Sequence, residues 1–309
     1  MKQEIIIIGN PIAGRGAAGR IAKAVEILKS REFNVRLMLT NKQGDAELFS
    51  RDISQNSENP PLPPFAKGGR GGILIIAAGG DGTFNEVING IAGSDIPMAI
   101  LPLGTTNVLA KELGIPENVE KAVDIALSGK IQTVALGRIT LSQTTNNKLS
   151  RYFLLMAGIG FDGETVYRTE NRIKRYSGKG AYVWSGLNTL LSWNPGELTF
   201  NMDGKLCKGY SAIICNASKY AGNFKVAPDA KISEPSLYVF VMQGKKRMNL
   251  VRYVSGIISG RHLKFCDITY QKAKRIEISG NAHIQIDGDY LGKTPAAIEI
   301  VPDTLRMIY

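Results

Sequence analysis

Along its first hundred residues the chain sets unbroken apolar runs between amphipathic stretches. Ile5 to Ile8, Ile73 to Ala78 and Pro97 to Leu101 are apolar without alternation, the pattern of strands buried on both faces. Between them Ile21, Ala24, Val25 and Leu28 recur at helical spacing within Arg20 to Ser30, Asn34 to Thr40 reads as a strand, and Ala46 to Ile53 reads as a second helix. A third helix is expected from Asn85 to Ile91. This alternation predicts an α/β domain on a parallel sheet, with ligands at the carboxyl ends of its strands.

Beyond about residue 135 the runs become short and rich in β-branched and aromatic residues. Gly137 to Leu141, Tyr152 to Ala157, Glu197 to Met202, Gly209 to Cys215, Leu237 to Met242, Ile268 to Tyr270, Arg275 to Ile278 and His283 to Ile286 all read as strands. Gly180 to Leu191 and Met248 to Ser259 are the helical segments among them. The expected organisation is an α/β domain over 1–135 and a mostly β domain over 136–299. Asn59 to Gly72, with four prolines followed by Lys67-Gly68-Gly69-Arg70-Gly71-Gly72, reads as a surface insertion in the first domain.

Charge sharpens the division. Residues 1–135 carry 14 basic and 14 acidic side chains, whereas 136–309 carry 24 and 13, so the net +11 of the 309-residue chain belongs to its second part. An excess confined to one domain points to an anionic partner there. Three cysteines, Cys207, Cys215 and Cys266, lack CxxC spacing and disfavour both a disulfide framework and a structural zinc; a reducing cytoplasm fits them. With only His262 and His283, triad hydrolysis is disfavoured. No leader precedes the first strand and no apolar run approaches about 18 residues, so any meeting with a membrane is expected from the surface.

Gly14, Gly16 and Gly19 match GxGxxG, but the strand ending at Thr40-Asn41 brings no carboxylate for a ribose; Gly158, Gly160 and Gly163 lack one as well. Gly292-Lys293-Thr294 follows a strand without opening a helix and is no P-loop. Gly79-Gly80-Asp81-Gly82-Thr83 is the stronger signal. Its glycines let a backbone approach phosphate closely, the following helix start favours negative charge, and Thr83 can cap the helix or donate to phosphate. Asp81 would repel phosphate, so metal liganding or catalysis is its expected role, with a simple aspartate cap as the alternative. Pro102-Leu103-Gly104-Thr105-Thr106-Asn107 after the fourth strand and Gly9-Asn10-Pro11 with Gly14 after the first complete three polar loops at one sheet edge.

These loops, with Asn85-Glu86, Gly158-Ile159-Gly160-Phe161-Asp162 and Asp287-Gly288-Asp289, resemble the diacylglycerol kinase catalytic-domain family, which includes bacterial lipid kinases and sphingosine kinases. The resemblance runs in order along nearly the whole chain. It implies a Rossmann-like nucleotide domain similar to those of NAD kinase and phosphofructokinase, a β-sandwich lipid domain, and a segment 300–309 returning to the first domain. ATP is then expected on Gly79, Gly80, Asp81, Gly82, Thr83, Asn85 and Glu86, with Asn10, Gly14, Thr40, Thr105 and Asn107 around it and Mg²⁺ near Asp81. Asp289 stands where the bacterial family has a glutamate as general base, one methylene shorter here, and Asp287 shares or replaces that role as an alternative. Asp287-Gly288-Asp289 as a plain hairpin turn is the other alternative. A loop similar to Pro228 to Leu237 implies a structural Mg²⁺ on Lys231, Glu234 and Ser236, although Glu234-Pro235 replaces the family's Asp-Gly.

The implied activity is ATP-dependent phosphorylation of a lipid alcohol such as diacylglycerol, by a cytoplasmic enzyme contacting the membrane peripherally. Lys245, Lys246, Arg247, Arg252, Arg261 and Lys264, in a stretch from Pro235 to Cys266 without acids, are candidate contacts to anionic headgroups. Arg168, Arg172, Lys174, Arg175 and Lys179 form a second cluster, followed by Tyr182, Trp184 and Trp193 as boundary aromatics. No nucleic-acid reader motif is present. NAD kinase and a catalytically silent nucleotide- or lipid-binding regulator are the alternatives, and the oligomeric state, a homodimer included, stays open.

Overall fold

The computed structural model describes residues 4–56, 72–141, 149–172 and 186–309. The expected insertion up to residue 71 and the basic and aromatic residues from Lys174 to Trp184 lie outside these. The chain divides into two compact units, Met1–Val134 with Asp303–Tyr309, and Ala135–Pro302.

In the first unit the order is β1 (Glu4–Gly9), α1 (Ala17–Ser30), β2 (Asn34–Leu39), α2 (Asp45–Asn56), β3 (Ile73–Gly79), α3 (Asp81–Ile91), β4 (Pro97–Pro102), α4 (Val108–Leu113) and α5 (Val119–Ser128). The strands pair in parallel in the order β2-β1-β3-β4. The chain steps outward from β1 in both directions, so the β1/β3 junction is the switch point at which such sheets bind ligands. Ile5 to Ile8 are at most 1% exposed, and burying each isoleucine contributes roughly 1.5–3 kcal/mol.

The second unit begins within β5 (Ile131–Leu141) and continues through β6 (Leu149–Phe153), β7 (Met156–Ile159) and α6 (Phe161–Arg172). Then come β8 (Leu198–Met202), β9 (Lys205–Gly209), β10 (Ser211–Cys215), the small hairpin β11 (Lys219–Tyr220) and β12 (Phe224–Lys225), and β13 (Leu237–Met242). After α7 (Arg247–Ile258) follow β14 (Ile268–Ala273), β15 (Arg275–Ser279), β16 (His283–Ile286), β17 (Asp289–Lys293) and β18 (Ala296–Ile308). One antiparallel sheet runs β14-β13-β10-β7-β16-β17, and the other contains β18, β15, β8 and β9. Alternate residues of both, among them Ile159, Phe200, Ile214, Val239, Ile276 and Ile284, form one buried cluster, as a sandwich requires. Past residue 302 the last strand belongs to the first unit, where Arg306 and Met307 pair in parallel with Pro97 and Met98 of β4.

Several boundaries differ from the expectations. The third helix starts at Asp81, so Gly82 and Thr83 lie in its first turn and not in a loop before it. The strand expected over Tyr152 to Ala157 breaks at Leu154-Leu155 into β6 and β7. Helix α6 was hidden by its polar sequence and α4 by its six-residue length, and α5 (ten residues) went unread.

Candidate active site

The three loops after β1, β3 and β4 meet at the carboxyl edge of the sheet through bare backbone. A Cβ on Gly14 would stand 2.3 Å from the Leu103 carbonyl oxygen, and one on Gly104 would stand 2.6 Å from the Gly80 Cα. Asn10 N–H donates to Ala78 O at 2.8 Å, and Leu103 N–H to Gly79 O at 2.7 Å. Arg20 of α1 reaches the Pro102 carbonyl at 2.9 Å, a tie across 82 residues with no sequence signal of its own. Gly80 caps α3 without a side chain to satisfy its first-turn amides, and an anion is the partner such a terminus favours.

The acids here hold helices. Asp81 accepts from Val108 N–H and Leu109 N–H, both at 3.0 Å, and so caps α4. The residue at the cap position itself, Asn107, has left-handed φ 49° and makes no cap; its Nδ2 donates to Gly104 O at 2.9 Å and Glu117 Oε1 at 3.1 Å. Glu86 caps α2, accepting from Gly44 N–H at 2.9 Å and Ala46 N–H at 3.2 Å. Asp45 accepts from Asn41 N–H at 2.8 Å and Lys42 N–H at 3.0 Å, and these amides hold its carboxyl below the usual aspartate range. Burial pushes the Asp81 carboxyl above that range, while its two amide bonds pull it back.

Of the residues expected around ATP, Asn10, Gly14, Gly79, Gly80, Gly82, Thr83 and Thr105 therefore lie on or beside the meeting loops, and Thr40, buried, closes β2 with its N–H on Gly9 O at 2.9 Å. Glu86 holds the α2 amides, while Asn107 donates only through Nδ2, to Gly104 and Glu117, and its buried Oδ1 has no hydrogen-bond partner among the described residues. Asn85 is buried against Asn89, which donates to it at 3.1 Å.

In the second unit Asp287 and Gly288 form a two-residue hairpin loop between paired Ile286 and Asp289, both with positive φ as a type I′ turn requires. The Asp287 carboxylate accepts from Leu154, Leu155 and Met156 N–H at 2.8–2.9 Å, filling the break between β6 and β7. Asp287 is thereby a structural anchor, and Asp289 is half-buried at the start of β17. A buried relay supports the turn: Gly288 N–H donates to Gln285 Oε1 at 2.8 Å, Gln285 Nε2 to Asp162 at 2.5 Å, and the Tyr220 hydroxyl to Asp162 at 2.6 Å. Gly158 makes room for it, since a Cβ there would lie 2.0 Å from Asp162 Oδ2. Next to Asp289, the Tyr290 hydroxyl meets His283 Nδ1 at 2.9 Å, and Glu164 stands 3.2 Å from His283 Nε2. Gln285, Tyr220 and this histidine cluster escaped sequence reasoning because Asp162 and Glu164, which gather them, are distant in the chain.

At the loop expected to hold a structural Mg²⁺, the Ser236 Oγ is buried with no hydrogen-bond partner among the described residues. Glu234 accepts from Lys272 Nζ at 3.0 Å, and the Lys231 and Glu234 carbonyls accept the turn amides of Glu234 and Ser236 at 2.9 and 2.8 Å. Lys272 supplies the positive charge a cation would bring, and lowers the Glu234 pKa accordingly. Trp193, expected at a lipid boundary, is buried edge-on against Phe161 at 5.5 Å, and Arg168 pairs with Glu164 at 2.7 Å.

An α/β unit with glycine-lined loops at one sheet edge and an antiparallel sandwich unit define the two-domain plan that lipid kinases and NAD kinases share. The Diacylglycerol kinase catalytic domain model matches residues 4–139, and the YegS C-terminal NAD kinase beta sandwich-like domain model matches 156–309; the chain belongs to the diacylglycerol kinase catalytic-domain family. It is 29% identical over 297 residues to the diacylglycerol kinase of Bacillus subtilis, covering 94% of this chain and 90% of that one. Against the diacylglycerol kinase of Staphylococcus carnosus it is 28% identical, with 96% and 92% covered. A solved diacylglycerol kinase structure from Bacillus anthracis superposes with TM-score 0.66 at 22% identity over 100% of this chain and 97% of that one. Yeast NADH kinase, at 12% identity, TM-score 0.51 and coverage of 100% and 84%, shares the fold.

Proposed function

We propose that the protein transfers the γ-phosphate of ATP to the hydroxyl of a lipid alcohol, diacylglycerol being the first candidate. The observation that carries this reading is the closure of three loops on one another by glycine alone, at the switch point of a parallel sheet, in a member of this kinase family. ATP would be held by the loops of Asn10, Gly80 and Gly104, and Mg²⁺ accompanying it would supply charge neutralisation for the phosphates. Asp81 keeps α4 and the phosphate loop in register; the metal role expected of it yields to the two amides it already holds.

A lipid hydroxyl is a weak nucleophile, and Asp289 accepts its proton as it attacks. The first-turn amides of α3 stabilise charge on the transferring group. Labelled γ-phosphate offered with diacylglycerol, a sphingoid base, phosphatidylglycerol, a polyprenol and NAD tests the reading. Label in a lipid phosphate, lost in Asp289→Ala, is expected; label in NAD alone overturns it.

A further inference from the structure

Helix α7 carries an apolar ridge that no other described part of the chain covers. Its inner side is fixed: Leu250, Tyr253 and Gly256 are buried, the Tyr253 hydroxyl donates to Asp267 at 2.6 Å, and a Cβ on Gly256 would strike Phe265 at 2.5 Å. Met248, Val251, Val254 and Ile258, spaced three, three and four apart, lie together on the other side with exposures of 73%, 43%, 47% and 61%. Exposed Lys245, Lys246 and Arg247 stand at the start of this helix, and Arg261 and Lys264 just beyond its end. From Pro235 to Cys266 there is no acidic residue, and among the described residues these five cations make no ion pair.

We infer that α7 lies in the headgroup boundary of an anionic bilayer, with Met248, Val251, Val254 and Ile258 inserted and the flanking cations on lipid phosphates. Apolar ridge and basic ends together match that one occupant: phosphates answer the cations and acyl chains the ridge. The inference rests on the lipid-kinase reading, because a substrate confined to a bilayer requires the enzyme to reach it. It goes beyond that reading in naming the element that docks and in giving the ridge, not charge alone, a part in the binding. Rigid seating of the inner side means that insertion demands no refolding of the sandwich.

The full-length protein is sedimented with vesicles of phosphatidylcholine alone or with about one third phosphatidylglycerol, and kinase activity is measured separately on a short-chain diacylglycerol dispersed in detergent. Binding to the anionic vesicles alone is expected. Val251→Glu with Val254→Glu, both on the exposed side, should abolish it while retaining the wild-type melting curve and the activity in detergent. Arg247→Gln with Arg261→Gln should weaken it roughly fivefold per charge. Ile258→Trp should show blue-shifted emission quenched by brominated lipid. Unchanged binding of the double glutamate variant, or a tryptophan that stays in water, overturns the inference, as does self-association through this ridge without vesicle binding. Activity absent in detergent on diacylglycerol and on every other lipid alcohol of the panel, with insertion intact, refutes the kinase reading and leaves the docking surface standing.

Discussion

Gly80 and Gly104 touch backbone to backbone, so closely that a methyl on Gly104 would stand 2.6 Å from the Gly80 Cα and 2.8 Å from Asn107 Oδ1. Two loops from different strands thus meet through main chain, with the Asn107 Oδ1 beside the contact. Gly104→Ala should separate them at a cost of about 1–3 kcal/mol, the usual penalty of overpacking. The rise in melting temperature produced by MgATP should shrink in the same variant. Thermal melts with and without nucleotide check this, and an undiminished nucleotide shift would detach Gly104 from the site.

Asp81 is predicted to act through α4. Asp81→Ala leaves two amides without an acceptor and should lower stability by about 1–3 kcal/mol, whereas Asp81→Asn keeps one carbonyl oxygen and should fall between. Chemical denaturation of the three proteins measures the order. Loss of turnover in Asp81→Asn at unchanged stability would instead restore a direct chemical role.

The two aspartates of the hairpin should separate cleanly. Asp289→Asn should cost about 10²- to 10⁴-fold in turnover with little change in stability, the range expected for a lost general base. Asp287→Asn should chiefly unfold the protein more easily, since three amides lose their charged acceptor. Steady-state kinetics beside melting curves decide it, and the opposite pattern would exchange their roles.

The contrast between those aspartates marks how far the sequence could be read. Unbroken apolar runs announced β1 and β3, and the glycines after them announced loops that meet at one sheet edge, because both signals are local. Asp-Gly at 287–288 announced a hairpin for the same reason. The destinations of the Asp81, Glu86 and Asp287 carboxylates were illegible: their amide partners lie 27, 40 and more, and 131 and more residues away in the chain. An acid beside glycines reads alike whether it meets a metal or caps a remote helix, and only the fold distinguishes them. Glu234 likewise meets Lys272 of a strand distant in sequence, a contact its own loop does not announce.

His283 gives the protein a predicted acid sensitivity. Burial is the first cause that holds its imidazole below the ordinary histidine range; Glu164 pulls it upward, and Lys293 and Arg168 push it down again. The folded protein therefore binds this proton less readily than the unfolded chain, where histidine titrates near about 6.5. Stability rises with pH wherever the unfolded state holds more protons, so this contribution is present above about pH 6.5 and is lost as pH falls toward the lower folded value. Its protonation would also place a proton on an imidazole already bonded to Tyr290 and stacked on Tyr167 at 4.3 Å. Urea midpoints of wild type and His283→Gln between pH 8 and 5 should converge on the acid side, the wild type losing more. Parallel curves would show that His283 titrates alike in both states.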